Sequence, residues 1–220
     1  MKIIYILFCS WGGIPHYTAE LANAVAKYAD VYVIKPKDAN DSIFSSQIKL
    51  IPVFDSLVFS KNNPWKIFSV SNVQKFLSFK ELSIIKEINP DILHIPGVHY
   101  PQIIFIHLLG IDKKYPIVGT FHAVYNSRII LPRKTGTNNY LVSLVYTLVN
   151  MLTNLIKFSK IIVLTNANKE QLLHSCIPEK EIAVIPHGAF TFFKNYKNDN
   201  EIHEENSILF FGYIIPSKGL

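Results

Sequence analysis

The sequence predicts an α/β fold in which helices cover both faces of an open parallel sheet. Short apolar runs rich in Ile and Val alternate with longer stretches of helical spacing. Runs that are apolar throughout are typical of parallel strands buried on both faces. The predicted strands are "KIIYILF", "DVYVIK", "DILHI", "YPIVGTF", "KIIVLT" and "EIAVIP". Strand, glycine turn, helix and strand together make the βαβ unit of a Rossmann-like sheet.

The composition is that of a folded protein with a substantial core. Of the 220 residues, 49% are hydrophobic and 17% are charged, and the length lies between those expected for one and for two domains. Lys and Arg outnumber Asp and Glu by 22 to 16, and the resulting net charge of +6 favours anionic surroundings such as phosphates or acidic lipid. No basic run with interleaved aromatic residues is present, so we expect no nucleic-acid partner.

The cysteines and histidines predict neither a disulfide framework nor a metal site. Cys9 and Cys176 lie far apart in the chain, which favours a reducing, cytoplasmic setting. No two histidines have a ligand spacing such as HxxxH, so we expect no metal and no cofactor. The opening apolar run carries one lysine and leads into two glycines and a proline, which favours a first strand over a signal peptide.

The loop "SWGGIPHYTAEL" joins the first strand to a helix predicted over 16–28, whose apolar residues recur three or four apart. Open α/β sheets bind ligands at this carboxyl end of a parallel strand. Gly12 and Gly13 allow close approach of a ligand to the backbone, and the helix start favours an anion such as phosphate. Two glycines in a tight turn also fit a purely structural role. The fingerprints GxGxxG and GxxxxGK[ST] are absent, which argues against a dehydrogenase or an NTPase.

Three histidines, His94, His122 and His187, come at the ends of predicted strands. We expect them on one rim, because carboxyl ends of parallel strands share an edge of the sheet. His122 follows "GTF" directly and has the chemistry to hydrogen-bond a sugar hydroxyl or to stabilise a leaving phosphate. Taken alone, it fits a packed or capping histidine equally well.

The segment 140–158, "YLVSLVYTLVNMLTNLIKF", is long and apolar enough to consider a membrane helix. Its polar residues fall three or four apart and form one stripe, which favours a core or interface helix with one wet face over a membrane-surface helix or a true span. The stripe consists of Ser143, Thr147, Asn150, Asn154 and Lys157.

The chain is predicted to divide into a domain over 1–193, a polar linker over 194–206 and an apolar strand with a turn over 207–220. This last stretch has no sheet of its own, so we expect it to be an orphan first strand of a second domain. Lys218 lies in its turn beside Gly219, which fits a phosphate contact and fits an ordinary surface lysine as well.

Together these stretches resemble the retaining GT-B glycosyltransferases of family 4, whose two Rossmann-like domains face each other across a cleft. The order of the motifs is more specific than any one of them. The resemblance covers essentially the whole chain, but only the first half of the family's architecture. The motifs are "WGGIPHYTAELANAVA", "DILHI", "GTFH", "VLTNANKEQLLHSCIPEKEIAVIPHGAF" and "FFGYIIPSKGL".

The resemblance implies a role for each motif. The first domain would bind mainly the acceptor, a glycan or a lipid-linked molecule, and the second would hold a nucleotide sugar, which is a substrate and not a cofactor. It implies that Gly12, Gly13 and Lys218 meet the donor diphosphate, whose negative charge on departure they would stabilise. His122 would be catalytic, beside the transferred sugar. The acceptor site or cleft would include His16, Tyr17, His94, His187 and Gly188.

The chain departs from the family's pattern at three places. Tyr213 stands where an arginine commonly follows the glycine, and Phe190 stands where an acidic residue often follows the "IPNG" turn. The glutamate motif of the donor domain does not occur before Leu220. We therefore expect a truncated glycosyltransferase, inactive alone, which a separately encoded C-terminal half would complete.

Two other functions stay open from the sequence. The first is a non-catalytic module that binds a partner or lies peripherally on the acidic inner face of the membrane. The second is a nucleotide-binding Rossmann protein of other chemistry, which would need a phosphate site in the first domain. The glycine loop is the candidate for that site.

Overall fold

The computed structural model describes residues 1–56, 78–98, 103–122, 124, 156–175, 177–189 and 206. The chain divides into two compact units, Met1–Phe190 and Thr191–Leu220, and of the second unit only Asn206 is described. The predicted linker and the strand after it therefore lie outside the described residues, apart from Asn206, and the domain bounds stay a prediction.

The first unit contains a seven-stranded, wholly parallel sheet in the order β3-β2-β1-β4-β5-β6-β7. The predicted fold class, an open parallel sheet of Rossmann-like type, is thus confirmed. The strands are β1 (Lys2–Ile6), β2 (Asp30–Pro36), β3 (Lys49–Phe54), β4 (Ile92–Ile95), β5 (Ile117–Phe121), β6 (Lys160–Val163) and β7 (Ile182–Val184).

Helices pack on both faces of the sheet. They are α1 (Gly13–Val25), α2 (Ile84–Ile88), α3 (Ile104–Leu108), α4 (Ile111–Lys114) and α5 (Asn166–His174), with short 3₁₀ helices at Ser78–Ser83 and Glu179–Glu181.

The alternation of side chains along β1 divides the core in two. Ile4 and Ile6 belong to one buried cluster with Ile85 of α2 and Ile106 of α3. Tyr5 and its neighbours on the other face belong to a second cluster, with residues of α1. Successive side chains of a strand point to opposite faces of the sheet. Strand β1, whose sequence is apolar throughout its interior, is therefore buried on both faces.

Strand β3 was not predicted from the sequence. Its run "KLIPVF" contains Pro52, which lacks the N–H that an interior strand needs for its ladder. The strand lies at the edge of the sheet, where only one side is paired. A proline is tolerated there, and Pro52 lies opposite Lys35 of β2.

Two predicted helix bounds are corrected. Helix α1 begins at Gly13 and ends at Val25, so Tyr28, expected on its apolar stripe, lies beyond the helix and is 87% exposed. Residues 156–158 of the apolar segment are not helical, because the chain there leads into β6 and packs Phe158 on β5. The rest of that segment lies outside the described residues, and no helix within the described ranges is long and apolar enough to cross a membrane.

Lys35 is a buried cation at the end of β2, with 1% of its side chain exposed. Its ammonium donates to the carbonyl oxygens of Ala39 at 2.7 Å and Pro36 at 3.1 Å. It also pairs with Asp41 at 2.6 Å. All three N–H donors therefore have acceptors, which is the condition for burying an ammonium group.

Candidate functional site

The strand order reverses direction at β1, which has β2 on one side and β4 on the other. Ligands of open α/β sheets bind beyond the carboxyl ends of the strands at such a switch point. The loops that follow the carboxyl ends of the strands therefore form the edge where a site is expected, here called the carboxyl rim.

The glycine loop after β1 forms an open helix start on this rim. Gly12 is the N-cap of α1 with φ 81° and ψ −161°. Residues other than glycine rarely adopt this backbone conformation. Gly12 has no side chain with which to cap the helix, and the first turn of α1 carries no acidic residue. A Cβ added at Gly13 would meet no atom of the described residues within 4 Å. An anion can thus approach the first N–H groups of the helix without steric hindrance from this part of the chain.

Beside this loop, three rings from three elements form one cluster, here called the rim cluster. Tyr17 of α1 meets His122 edge to face, with ring centroids 4.8 Å apart and an angle of 86°. His187, after β7, lies 5.1 Å from Tyr17 and 5.9 Å from His122. Helix α1 lies on the face of the sheet that carries Tyr5, and this packing brings Tyr17 onto the end of β5.

A backbone hydrogen bond orients the ring of His122. Its Nε2 lies 2.8 Å from the carbonyl oxygen of Pro96, the residue that follows β4. A carbonyl only accepts, so Nε2 must carry the hydrogen. When the ring is neutral, Nδ1 is therefore an acceptor. This tautomer is suited to receive a hydrogen bond or a proton from a hydroxyl group.

His187 is held at the outer side of the cluster. It is exposed, and its Nδ1 donates to the carbonyl oxygen of Gly188 at 2.8 Å. A Cβ at Gly188 would meet no described atom within 4 Å, so the backbone there is open to an approaching ligand. His187 and Gly188 thus lie on the rim, as the sequence predicted, beside Tyr17 and His122.

His94 lies apart from the rim cluster. It is inside β4, 7% exposed, with Nε2 2.8 Å from the hydroxyl oxygen of Thr120 and its ring 5.1 Å from that of Tyr5. Burial lowers the pKa of His94 to about 4, and it raises the pKa of the Tyr5 hydroxyl. The expectation of three histidines on one rim is corrected here, since His94 precedes the last residue of its strand and packs beneath α1.

Of the other predicted site residues, the structure describes His16 but not Lys218. His16 is partly buried on the first turns of α1, next to Tyr17. Lys218 lies outside the described residues. Within the described ranges no group of three or more His, Cys, Asp or Glu residues could hold a metal ion.

A second polar group on the rim was not predicted. The hydroxyl of Ser10 donates to Asp38 at 2.7 Å, and that of Ser56 donates to Ser10 at 2.8 Å. Partial burial acts to raise the pKa of Asp38, but hydrogen bonds, led by the one from Ser10, lower it below its ordinary value. These residues follow β1, β2 and β3, so a search of every strand's carboxyl end would have found them, had β3 been recognised.

The doubly wound sheet, the open glycine loop and the rim cluster define a Rossmann-like domain with a candidate ligand site at the carboxyl rim. The family model "Glycosyltransferase Family 4" matches residues 11–191, which is well over half of the sequence. The chain belongs to glycosyltransferase family 4. None of the curated proteins matches it significantly.

Three solved structures share the architecture at low identity. A sucrose-phosphate synthase from Thermosynechococcus elongatus has a TM-score of 0.56 at 12% identity, over 86% of this chain and 49% of that one. HepE of Anabaena, in complex with UDP and glucose, has a TM-score of 0.51 at 14% identity, over 86% and 45%. A UDP-N-acetylglucosamine 2-epimerase has a TM-score of 0.57 at 17% identity, over 92% and 50%. The chain thus spans about half the length of each.

Proposed function

We propose that this chain forms the acceptor-side half of a retaining GT-B glycosyltransferase, which transfers a sugar from a nucleotide sugar to a glycan or a lipid-linked acceptor. The observation that carries the proposal is the rim cluster of Tyr17, His122 and His187 beside the open loop of Gly12 and Gly13. Membership of family 4 gives this constellation its chemistry.

The donor diphosphate lies against the backbone at Gly12 and Gly13. The helix start there offers N–H groups, has no acidic residue in its first turn and leaves room for a ligand. Negative charge grows on the diphosphate as the sugar departs, and fixed N–H groups stabilise it without reorganisation. The UDP bound in HepE supports a nucleotide sugar as donor.

His122 contacts the sugar that is transferred. The bond from Nε2 to the Pro96 carbonyl fixes the ring and gives Nδ1 the acceptor role in the neutral form. A sugar hydroxyl that donates to Nδ1 is held in register with the diphosphate. Tyr17 acts through His122 as a positioning residue, because it packs against the imidazole edge to face.

The acceptor occupies the remainder of the rim. His16, His187 and Gly188 line one side, and Asp38, with its low pKa, is ionised at neutral pH and can accept hydrogen bonds from acceptor hydroxyls on the other. We place the enzyme in the cytoplasm, and its net charge of +6 favours contact with an acidic membrane surface when the acceptor is lipid-linked.

The proposal is tested by calorimetric titration of the chain with a panel of UDP, GDP, ADP and dTDP sugars. We expect sugar nucleotides to bind through their diphosphate, and His122→Ala to weaken this binding at least tenfold. His174→Ala is the matched control, because His174 is exposed at the far end of α5 and should change binding less than twofold. Equal binding by both variants would contradict the role of the rim cluster.

A further inference from the structure

A concave site of about 580 Å³ lies at the amino-terminal ends of the strands, whereas the rim cluster lies at their carboxyl ends. Its wall includes Pro116 and Ser159, which immediately precede β5 and β6. His122 follows the other end of β5, so the length of a five-residue strand, roughly 15 Å, separates this cavity from the rim cluster. The volume is in the range of small-ligand sites.

Three lysines give the cavity a positive charge. Lys113 and Lys114 come from the end of α4, and Lys157 lies shortly before β6. All three are exposed, and none makes a salt bridge with a carboxylate of the described residues. The ammonium of Lys114 lies 4.9 Å from the centroid of the Tyr115 ring, which also lines the cavity.

The acidic residue of the cavity, Asp112, makes no salt bridge with these lysines among the described residues. Asp112 is 7% exposed, and its Oδ2 lies 2.7 Å from Nδ1 of His107. Its Oδ1 is buried and has no hydrogen-bond partner among the described residues. A buried acceptor without a donor costs free energy, and the pair of His107 and Asp112 leaves one carboxylate oxygen in this condition among the described residues.

We propose that this cavity binds a phosphate ester, with the phosphate held by Lys113, Lys114 and Lys157. Three lysines that line one concave site supply positive charge and N–H donors for the several acceptor oxygens of a phosphate. The site is separate from the nucleotide-sugar site of the proposed function and does not depend on it. Glycerol phosphate is the chemistry common to two sources of such a ligand, a free phosphate ester and an anionic lipid headgroup.

The test uses the full chain and two probes at low ionic strength. Glycerol 3-phosphate is titrated by calorimetry, and vesicles of phosphatidylglycerol and phosphatidylcholine in equal parts are used for co-sedimentation. The double variant Lys113→Ala, Lys157→Ala removes two cavity charges. The matched double variant Lys27→Ala, Lys86→Ala removes two charges from exposed lysines elsewhere, so net charge is the same in both.

We expect the cavity variant to weaken binding of at least one probe tenfold or more, and the matched variant to weaken it less than twofold. Binding of glycerol 3-phosphate identifies a free phosphate ester as the ligand, whereas binding of vesicles alone identifies a lipid headgroup. The proposal is overturned if neither probe binds, or if both double variants lose binding equally. The substituted side chains are exposed, so we expect the variants to fold. Unchanged thermal melting checks this, and Lys157→Gln is a milder variant that removes one of the charges.

Discussion

Tyr17 and His122 meet edge to face, with ring centroids 4.8 Å apart, and this contact joins the first helix to the end of β5. His122 is fixed a second time by the Pro96 carbonyl at 2.8 Å. Two independent elements therefore hold one imidazole at the carboxyl rim. We expect Tyr17 to affect the donor mainly through its contact with His122.

Tyr17→Ala should weaken binding of a sugar nucleotide by threefold to tenfold, because an aromatic pair of this geometry contributes about 0.5–1.5 kcal/mol. Tyr17→Phe keeps the ring and should bind within about twofold of the parent, since a difference of that size is under 0.5 kcal/mol. The ring signals of His122 in NMR spectra should shift in the alanine variant and stay in place in the phenylalanine variant. A purely structural tyrosine would instead lower the melting temperature in the alanine variant and leave the binding of the sugar nucleotide unchanged.

Gly13→Ala should separate stability from binding. The added Cβ meets no described atom within 4 Å and replaces glycine at the start of α1, so the free energy of unfolding should be unchanged or up to about 1 kcal/mol higher. The methyl group occupies the space through which a diphosphate reaches the backbone, so binding of sugar nucleotides should fall. Calorimetry and urea denaturation measure the two effects, and unchanged binding would argue against a diphosphate at this loop.

Gly119→Ala should destabilise the fold without any role in the site. A Cβ at Gly119 would lie 2.6 Å from Cε1 of Phe158 and 3.0 Å from Cγ1 of Val98. Overpacking of this kind costs about 1–3 kcal/mol, measurable by urea denaturation. The double variant with Phe158→Leu should recover part of the loss, whereas Gly188→Ala, in open space, should change stability by less than about 0.5 kcal/mol.

We expect the protein to lose stability in mild acid because the pKa of His94 is lowered. Burial lowers its pKa from 6.5 to about 4, so between these pH values the unfolded chain binds a proton that the folded chain does not. The free energy of unfolding should therefore be full above pH 6.5 and fall as the pH drops towards 4, by about 3 kcal/mol in total at about 1.4 kcal/mol per unit.

Urea denaturation over this pH range, with two variants, tests the contribution of His94. His94→Gln retains hydrogen-bonding groups near Thr120 and should flatten the pH dependence. His174→Gln removes an exposed histidine and should leave the dependence as it is in the parent. Equal slopes in the parent and in His94→Gln would show that another group causes the loss.

The sequence predicted the sheet because the apolar runs of β1, β2 and β4 to β7 are visible without tertiary information. It did not predict β3, since Pro52 breaks the strand pattern and its acceptability depends on a place at the sheet edge. The Ser10, Asp38 and Ser56 group was missed for the same reason: one of its three members follows that strand.

His94 and His122 show where sequence alone could not decide. Both come near the end of an apolar run, yet one lies inside its strand under α1, and the other lies just beyond its strand. A difference of one or two residues in strand bounds separates a core histidine from one at the rim, and bounds are the least predictable feature of an element.

The most direct test of the account is the ring spectrum of labelled histidines during titration with the sugar nucleotide that binds. We expect shifts for His122 and His187 of the rim cluster, with no shift for buried His94, for His107 in the opposite cavity or for His174 on α5. Shifts confined to His107, or no shift of His122 at saturating ligand, would contradict a nucleotide sugar at the carboxyl rim.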